Sequence, residues 1–177
     1  MKILGLSGSL RMTSSNAAIL RAAALVAPPA VTVEPFDGVG ALPHFSPDLD
    51  VEPLPGAVRA LRARIAAADA LMISSPEYAH GMPGSLKNAL DWLVSAVEAL
   101  GKPVLLLSAS PGGAAHAHAQ LAEVLRTMSL PVVDAGAHVF SRSKLDAEGE
   151  VSDPELLARI RQAIAALQDA VVAARLE

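Results

Sequence analysis

Apolar positions along this chain switch repeatedly between runs that suit a buried strand and spacings that suit one face of a helix. Lys2 to Leu6 is a short apolar run that stops at the Ser7-Gly8-Ser9 turn. Ser14, Ser15 and Asn16 then offer N-cap chemistry to a helix reaching about Val26, which Pro28-Pro29 ends. Val31 to Phe36 alternates like a strand. Residues 37–55 carry Pro43, Pro47, Pro53 and Pro55 and read as a surface excursion. From Gly56, Val58, Leu61 and Ile65 return to helical spacing, and Ala70 to Ser75 is continuously apolar until its closing serines, as a strand covered on both faces should be.

The alternation continues to the far end of the chain. Leu86, Leu90, Leu93 and Val97 predict a helix over 85–100, stopped by Gly101. Pro103 to Ala109 is the most hydrophobic stretch and is expected at the centre of the sheet. A helix over 114–128 and a fifth strand over 131–140 follow. Asp153 and Pro154 then supply a cap and a first helical residue for a helix running nearly to Glu177. Five strand–helix units predict an α/β fold, a doubly wound parallel sheet with helices on both faces, in a single domain over 1–177. Ligands of such sheets sit beyond the carboxyl ends of the strands, where strand order reverses. That directs attention to three loops, at 7–16, 75–84 and 108–113.

Composition narrows the chemistry. Apolar residues are 52% and charged residues 18%, which excludes a disordered chain. A net charge of -4 and only 3% aromatics argue against a nucleic-acid partner. The absence of cysteine removes thiolate chemistry and cysteine-ligated metals, and fits a reducing cytoplasm. Mean hydropathy is +0.40, yet no apolar run approaches the ~20 residues of a spanning helix, and the opening MKILGLSGSLR is broken too early for a secretory leader. The expectation is a cytoplasmic protein with no membrane contact.

The first loop leads from a strand into a helix, where backbone N–H groups and the helix dipole favour an anion. Ser9, Ser15 and Asn16 add short donors, and Arg11 adds a forked cation suited to phosphate. Neither GxGxxG nor GxxxxGK[ST] is present, so the loop predicts a monophosphate site. The second loop, SPEYAHGMPGS, is stiffened by two prolines and two glycines, so a flat ring can lie against it; it holds the only tyrosine, Tyr78. The third, Ser108 to Gly113, lets backbone approach a ligand closely.

GSLRMTSSN, SPEYAHGMPGSLKNALDW and the following PGG loop together resemble the NAD(P)H-dependent FMN reductase family, over almost the whole chain. The family includes quinone, azo-dye and chromate reductases. The resemblance implies a flavodoxin-like fold of strand order 2-1-3-4-5, non-covalently bound FMN, and a homodimer or homotetramer. It places the FMN phosphate on Ser9, Arg11, Ser15 and Asn16. It places the ring and ribityl chain against Pro76, Glu77, Tyr78 and Gly81, with Ser108, Gly112 and Gly113 nearby. The implied reaction has two halves: NADPH or NADH delivers hydride to the flavin, and a small oxidised acceptor then takes the electrons. A reductase that releases reduced FMN to a partner monooxygenase, and a flavodoxin-like electron carrier, are the alternatives. The chain departs from the family pattern at Ala79-His80, where many members carry asparagine, and at 114–119, where relatives often carry glycine and arginine.

No catalytic residue is required by such chemistry; His80 and Tyr78 are the side chains nearest to that role. Five histidines invite a metal reading, but His116 and His118 point about 200° apart on a helix, and no HExxH accompanies them. No metal is expected. Neither is a serine hydrolase, since GxSxG is absent.

Overall fold

A computed structural model of the chain describes residues 1–109, 113–139, 145–146 and 148–176. Its strands are β1 (Lys2–Ser7), β2 (Thr32–Phe36), β3 (Ala70–Ser74), β4 (Val104–Ser108) and β5 (Val132–Val139). Its helices are α1 (Ser15–Val26), α2 (Gly56–Ala66), α3 (Gly84–Asp91), α4 (Ala115–Thr127) and α5 (Pro154–Ala174). All strand pairs are parallel, in the order β2-β1-β3-β4-β5. This is the flavodoxin-like order, and its reversal beside β1 and β3 opens the crevice where ligands of such sheets sit. The strand expected at the centre, β4, is interior but one place off; β3 takes the middle.

The alternation within each strand sorts the core into two layers. Ile3, Val33, Ala70, Met72, Leu105 and Leu107 pack against α1 and α5. Leu4, Leu6, Leu71, Ile73, Val104 and Leu106 pack against α2, α3 and α4. Strands β3 and β4 are buried at every residue, which explains their unbroken apolar character.

Two expectations need correction. The helix predicted over 85–100 ends at Asp91, and the chain continues through turns into a 3-10 turn at Val97–Ala99, leaving Val97 75% exposed. The carbonyl of Trp92 explains the early stop: it accepts Arg62 Nε and Nη2, at 3.1 and 2.7 Å, instead of continuing the helix. The 37–55 connection is also more than a surface excursion. Val39 and Leu42 are buried, and Phe45 meets Trp92 edge-on at 5.1 Å. Pro43 O accepts both Trp92 Nε1 and Asn88 Nδ2, at 2.8 and 2.9 Å, while Asn88 Oδ1 accepts the Phe45 N–H. Trp92 is wholly buried by this segment and so presents no surface to a second subunit.

At the opposite, amino edge of the sheet, one carboxylate ties three segments. Asp69 accepts the Lys2 N–H at 2.7 Å and the Arg175 guanidinium at 2.7 Å. The Lys2 N–H bond chiefly holds its carboxyl below the ordinary range; burial opposes this and Arg175 adds to it. A carboxylate with a depressed folded pKa stabilises above its unfolded value, and that contribution is lost as pH falls through the folded one. Asp69→Ala should therefore cost about 1 kcal/mol at pH 7. The deficit should shrink below about pH 4, as read by urea unfolding at pH 7 and pH 3.

Candidate functional site

The first and second predicted loops leave the carboxyl ends of β1 and β3 side by side, and the third leaves β4 at the same edge, with residues 110–112 outside the described residues. The first hydrogen bond that closes this edge runs from the Gly8 N–H to Ser74 O, at 2.8 Å. A Cβ at Gly8 would come within 3.0 Å of Ser75 Oγ, 3.2 Å of Leu86 Cδ2 and 3.3 Å of Pro76 Cδ, so a larger residue would press the first and second loops apart by a few tenths of an ångström.

Asn16, at the first turn of α1, is buried and reaches under the loops. Its Oδ1 accepts Ser74 Oγ–H at 2.9 Å and the Ala109 N–H at 3.1 Å. One side-chain oxygen thus joins α1 to the ends of β3 and β4. Ser14 caps the helix by accepting the Ala17 N–H. Ser9 Oγ accepts the Arg11 N–H, and Ser15 is half-buried. The first turn of α1 carries no acidic residue. Arg11 is exposed and makes no ion pair among the described residues. A helix N-terminus with no acid in its own first turn, and with an arginine nearby that makes no ion pair among the described residues, is chemically suited to an anion, although Asp146, Glu148 and Glu150 line a cavity with Thr13 and Ser15.

The second loop folds into a tight turn closed in both directions between Tyr78 and Gly81, at 2.9 and 3.0 Å. Ala79 and His80 sit at φ 49° and 59°, left-handed values that cost a non-glycine residue of order 1–3 kcal/mol. Bonds from the α4 side hold the turn there. Gln120 Oε1 accepts the Met82 N–H at 2.9 Å, and Glu77 Oε2 accepts the Ala117 N–H at 3.0 Å. Helix α4 has no capping side chain of its own, because Ala114 stands at its N-cap; Glu77 supplies the acceptor from another loop. The Ala117 N–H is the main cause that lowers the Glu77 pKa, with His116 and His80 assisting. Tyr78 is half-exposed, and Leu10 and Met12 are exposed on the first loop.

The structure therefore brings together Ser9, Arg11, Ser15, Asn16, Pro76, Glu77, Tyr78, Gly81 and Ser108 at one edge. Ser108 is buried at the end of β4, and Gly113 sits at φ 95° before α4. Gly112 lies outside the described residues. His116 and His118 part company, as their spacing implies. His118 is half-buried with Nε2 3.4 Å from Leu107 O, and burial lowers its pKa. His116 is exposed and stacks on His80, ring centroids 4.3 Å apart and nearly parallel. Sequence reasoning missed Gln120 and the buried Ser74. The only signal for Gln120 was its i,i+4 spacing from His116, which puts both on the face of α4 toward the second loop.

Comparison with known proteins gives a consistent picture. The family model described as NADPH-dependent FMN reductase matches residues 1–145. An NAD(P)H-dependent FMN reductase of Pseudomonas aeruginosa is 36% identical over 174 residues, covering 95% of this chain and 94% of that one. A quinone reductase of Escherichia coli is 32% identical over 161 residues, 86% of each chain. Among solved structures, FerB, a flavoenzyme NAD(P)H:(acceptor) oxidoreductase from Paracoccus denitrificans, is similar with a TM-score of 0.84 at 27% identity, covering 97% of each chain.

The Asn16 junction yields a stability prediction. Removing its oxygen strands the Ser74 hydroxyl and the Ala109 N–H in a buried place, and each unsatisfied group costs roughly 1–3 kcal/mol. Asn16→Ala should lose at least about 2 kcal/mol in chemical denaturation. Ser74→Ala removes a hydroxyl but leaves Asn16 bonded to Ala109, so it should cost clearly less.

Proposed function

The chain belongs to the NADPH-dependent FMN reductase family, and from that premise we propose that it reduces small quinones to quinols at the expense of NADH or NADPH. The balance is one reduced nicotinamide and one proton consumed per quinone, giving the oxidised nicotinamide and the quinol. FMN, when bound, supplies the redox centre that accepts a hydride and passes electrons on. The chain's own contribution is to bind, orient and polarise.

The observation that carries this reading is the loop convergence: a helix N-terminus with no acid in its own first turn and an arginine without an ion pair among the described residues stand beside a stiff turn with apolar surface around it. A phosphate suits the first part. Ser9, Arg11, Ser15 and the backbone N–H groups entering α1 would hold it. Asn16 would fix the loop through Oδ1 and offer the phosphate the N–H donors of Nδ2. Pro76, Tyr78 and Gly81 would form the wall for a flat ring, with Ser108 and Gly113 bordering it. Glu77 would support that wall through α4. Half-exposed Tyr78 and exposed Leu10 and Met12 leave the edge open to a second planar molecule, which is what a two-step exchange of nicotinamide for quinone needs.

Protein incubated with FMN and desalted should stay yellow, bleach anaerobically on addition of NADH or NADPH, and regain its colour with 1,4-benzoquinone. A colourless product would overturn the tight-binding reading. Recovery only with an azo dye or chromate would move the acceptor class. Flavin lost into the filtrate during turnover would favour a reductase that hands its FMN onward.

The phosphate assignment has its own test. Hydrogen bonds to charged groups contribute ~1.5–3 kcal/mol, so Arg11→Ala should weaken FMN binding roughly 10- to 150-fold. Riboflavin lacks the phosphate and should lose little. Fluorescence quenching with both flavins separates the cases, because equal losses would mean that Arg11 shapes the loop instead.

A further inference from the structure

The stacked histidines carry an inference that shares Glu77 and the second-loop turn with the flavin reading but does not depend on it. We propose that Glu77, His80 and His116 bind one late first-row divalent transition ion, such as Zn2+ or Ni2+, bridging the second loop to α4. Each of the three offers a ligand atom, and these atoms all lie within 4.8 Å of one another. A single ion with nitrogen and oxygen ligands at about 2.0–2.2 Å needs them slightly closer, at separations of roughly 3–4 Å. The missing distance is small, and both imidazoles are on exposed side chains free to rotate. The rings at 4.3 Å are parallel to within 7°, so they must turn out of the stack for one nitrogen of each to face a common point.

The backbone beneath is already fixed on both sides. His80 rides on the closed Tyr78–Gly81 turn, and the Ala117–Glu77 and Met82–Gln120 bonds fasten that turn to α4 on either side of His80. Ion binding thus orders only three side chains, without first bringing two segments together. Glu77 gives one oxygen to Ala117, but a carboxylate has about four lone-pair positions and can serve a metal as well. Two imidazoles and a carboxylate favour Zn2+, Ni2+ or Cu2+, whereas Mg2+ and Ca2+ prefer all-oxygen sites. Three protein ligands leave at least one coordination position open to solvent.

Tag-free protein, with and without FMN, titrated calorimetrically with ZnCl2 or NiCl2 should take up one ion per chain, and MgCl2 should give no binding. Even an outer-shell partner of a metal site is worth roughly 10-fold or more in affinity, so His80→Ala, His116→Ala and Glu77→Gln should each weaken binding at least that much. His44→Ala, at an exposed histidine elsewhere, should change nothing. Zn2+ should raise the thermal midpoint of the wild type and leave that of His116→Ala unmoved. Glu77→Gln retains an acceptor for the Ala117 N–H, which separates a lost ligand from a lost helix cap. Absence of binding, or binding that survives both histidine substitutions, overturns the proposal. FMN titration of the same samples reports on the flavin reading independently.

Discussion

The carboxyl edge of this sheet depends on one buried oxygen. Asn16 Oδ1 accepts from Ser74 and from Ala109, so the start of α1, the end of β3 and the exit from β4 are held at hydrogen-bond distance from one atom. Parallel strands need such a device, because their ends carry polar backbone groups into loops that the ladder no longer pairs. With those ends fixed, Gly8 passes against Ser75 and Pro76, and the first two loops run side by side.

The next layer of support comes from α4. Its N-terminus has no cap of its own and borrows Glu77, while Gln120, one turn further on, takes the Met82 N–H. The exchange is mutual: the loop satisfies the helix, and the helix holds two left-handed residues, Ala79 and His80, in a conformation they would not choose alone. Rigidity here is what a bound planar group requires, since a wall that must be ordered on binding lowers affinity. The same fastening sets His80 over His116.

Elsewhere the fold is stabilised by a polar network in place of a longer helix. Arg62 bridges the Trp92 carbonyl, Asp50 and Ser95, and Ser95 also donates to Asp50. Trp92 and Asn88 together secure Pro43. The long connection after β2 is thereby packed as a lid on the α2–α3 layer, and the helix that the apolar stripe predicted is cut short to let it in.

What the sequence determined by itself was the succession of elements and the location of the crevice. Period-2 and period-3.6 patterns are local properties, so β1, α1, α2, β3 and α5 were legible nearly to their ends, as was the cap at Asp153 that accepts the Leu156 N–H. The loops themselves were legible as the connections after β1, β3 and β4, because glycine and proline interrupt both periodic patterns. Tertiary structure decided what each polar side chain does. Nothing local distinguishes Asn16 as a junction from Asn16 as a phosphate ligand, or Glu77 as a cap for α4 from Glu77 as a wall of the site. The pairing of His80 with His116, where spacing directed attention to His116 and His118, lies equally beyond local reading. Each depends on a partner dozens of residues away, and sequence periodicity carries no information about distances across separate elements.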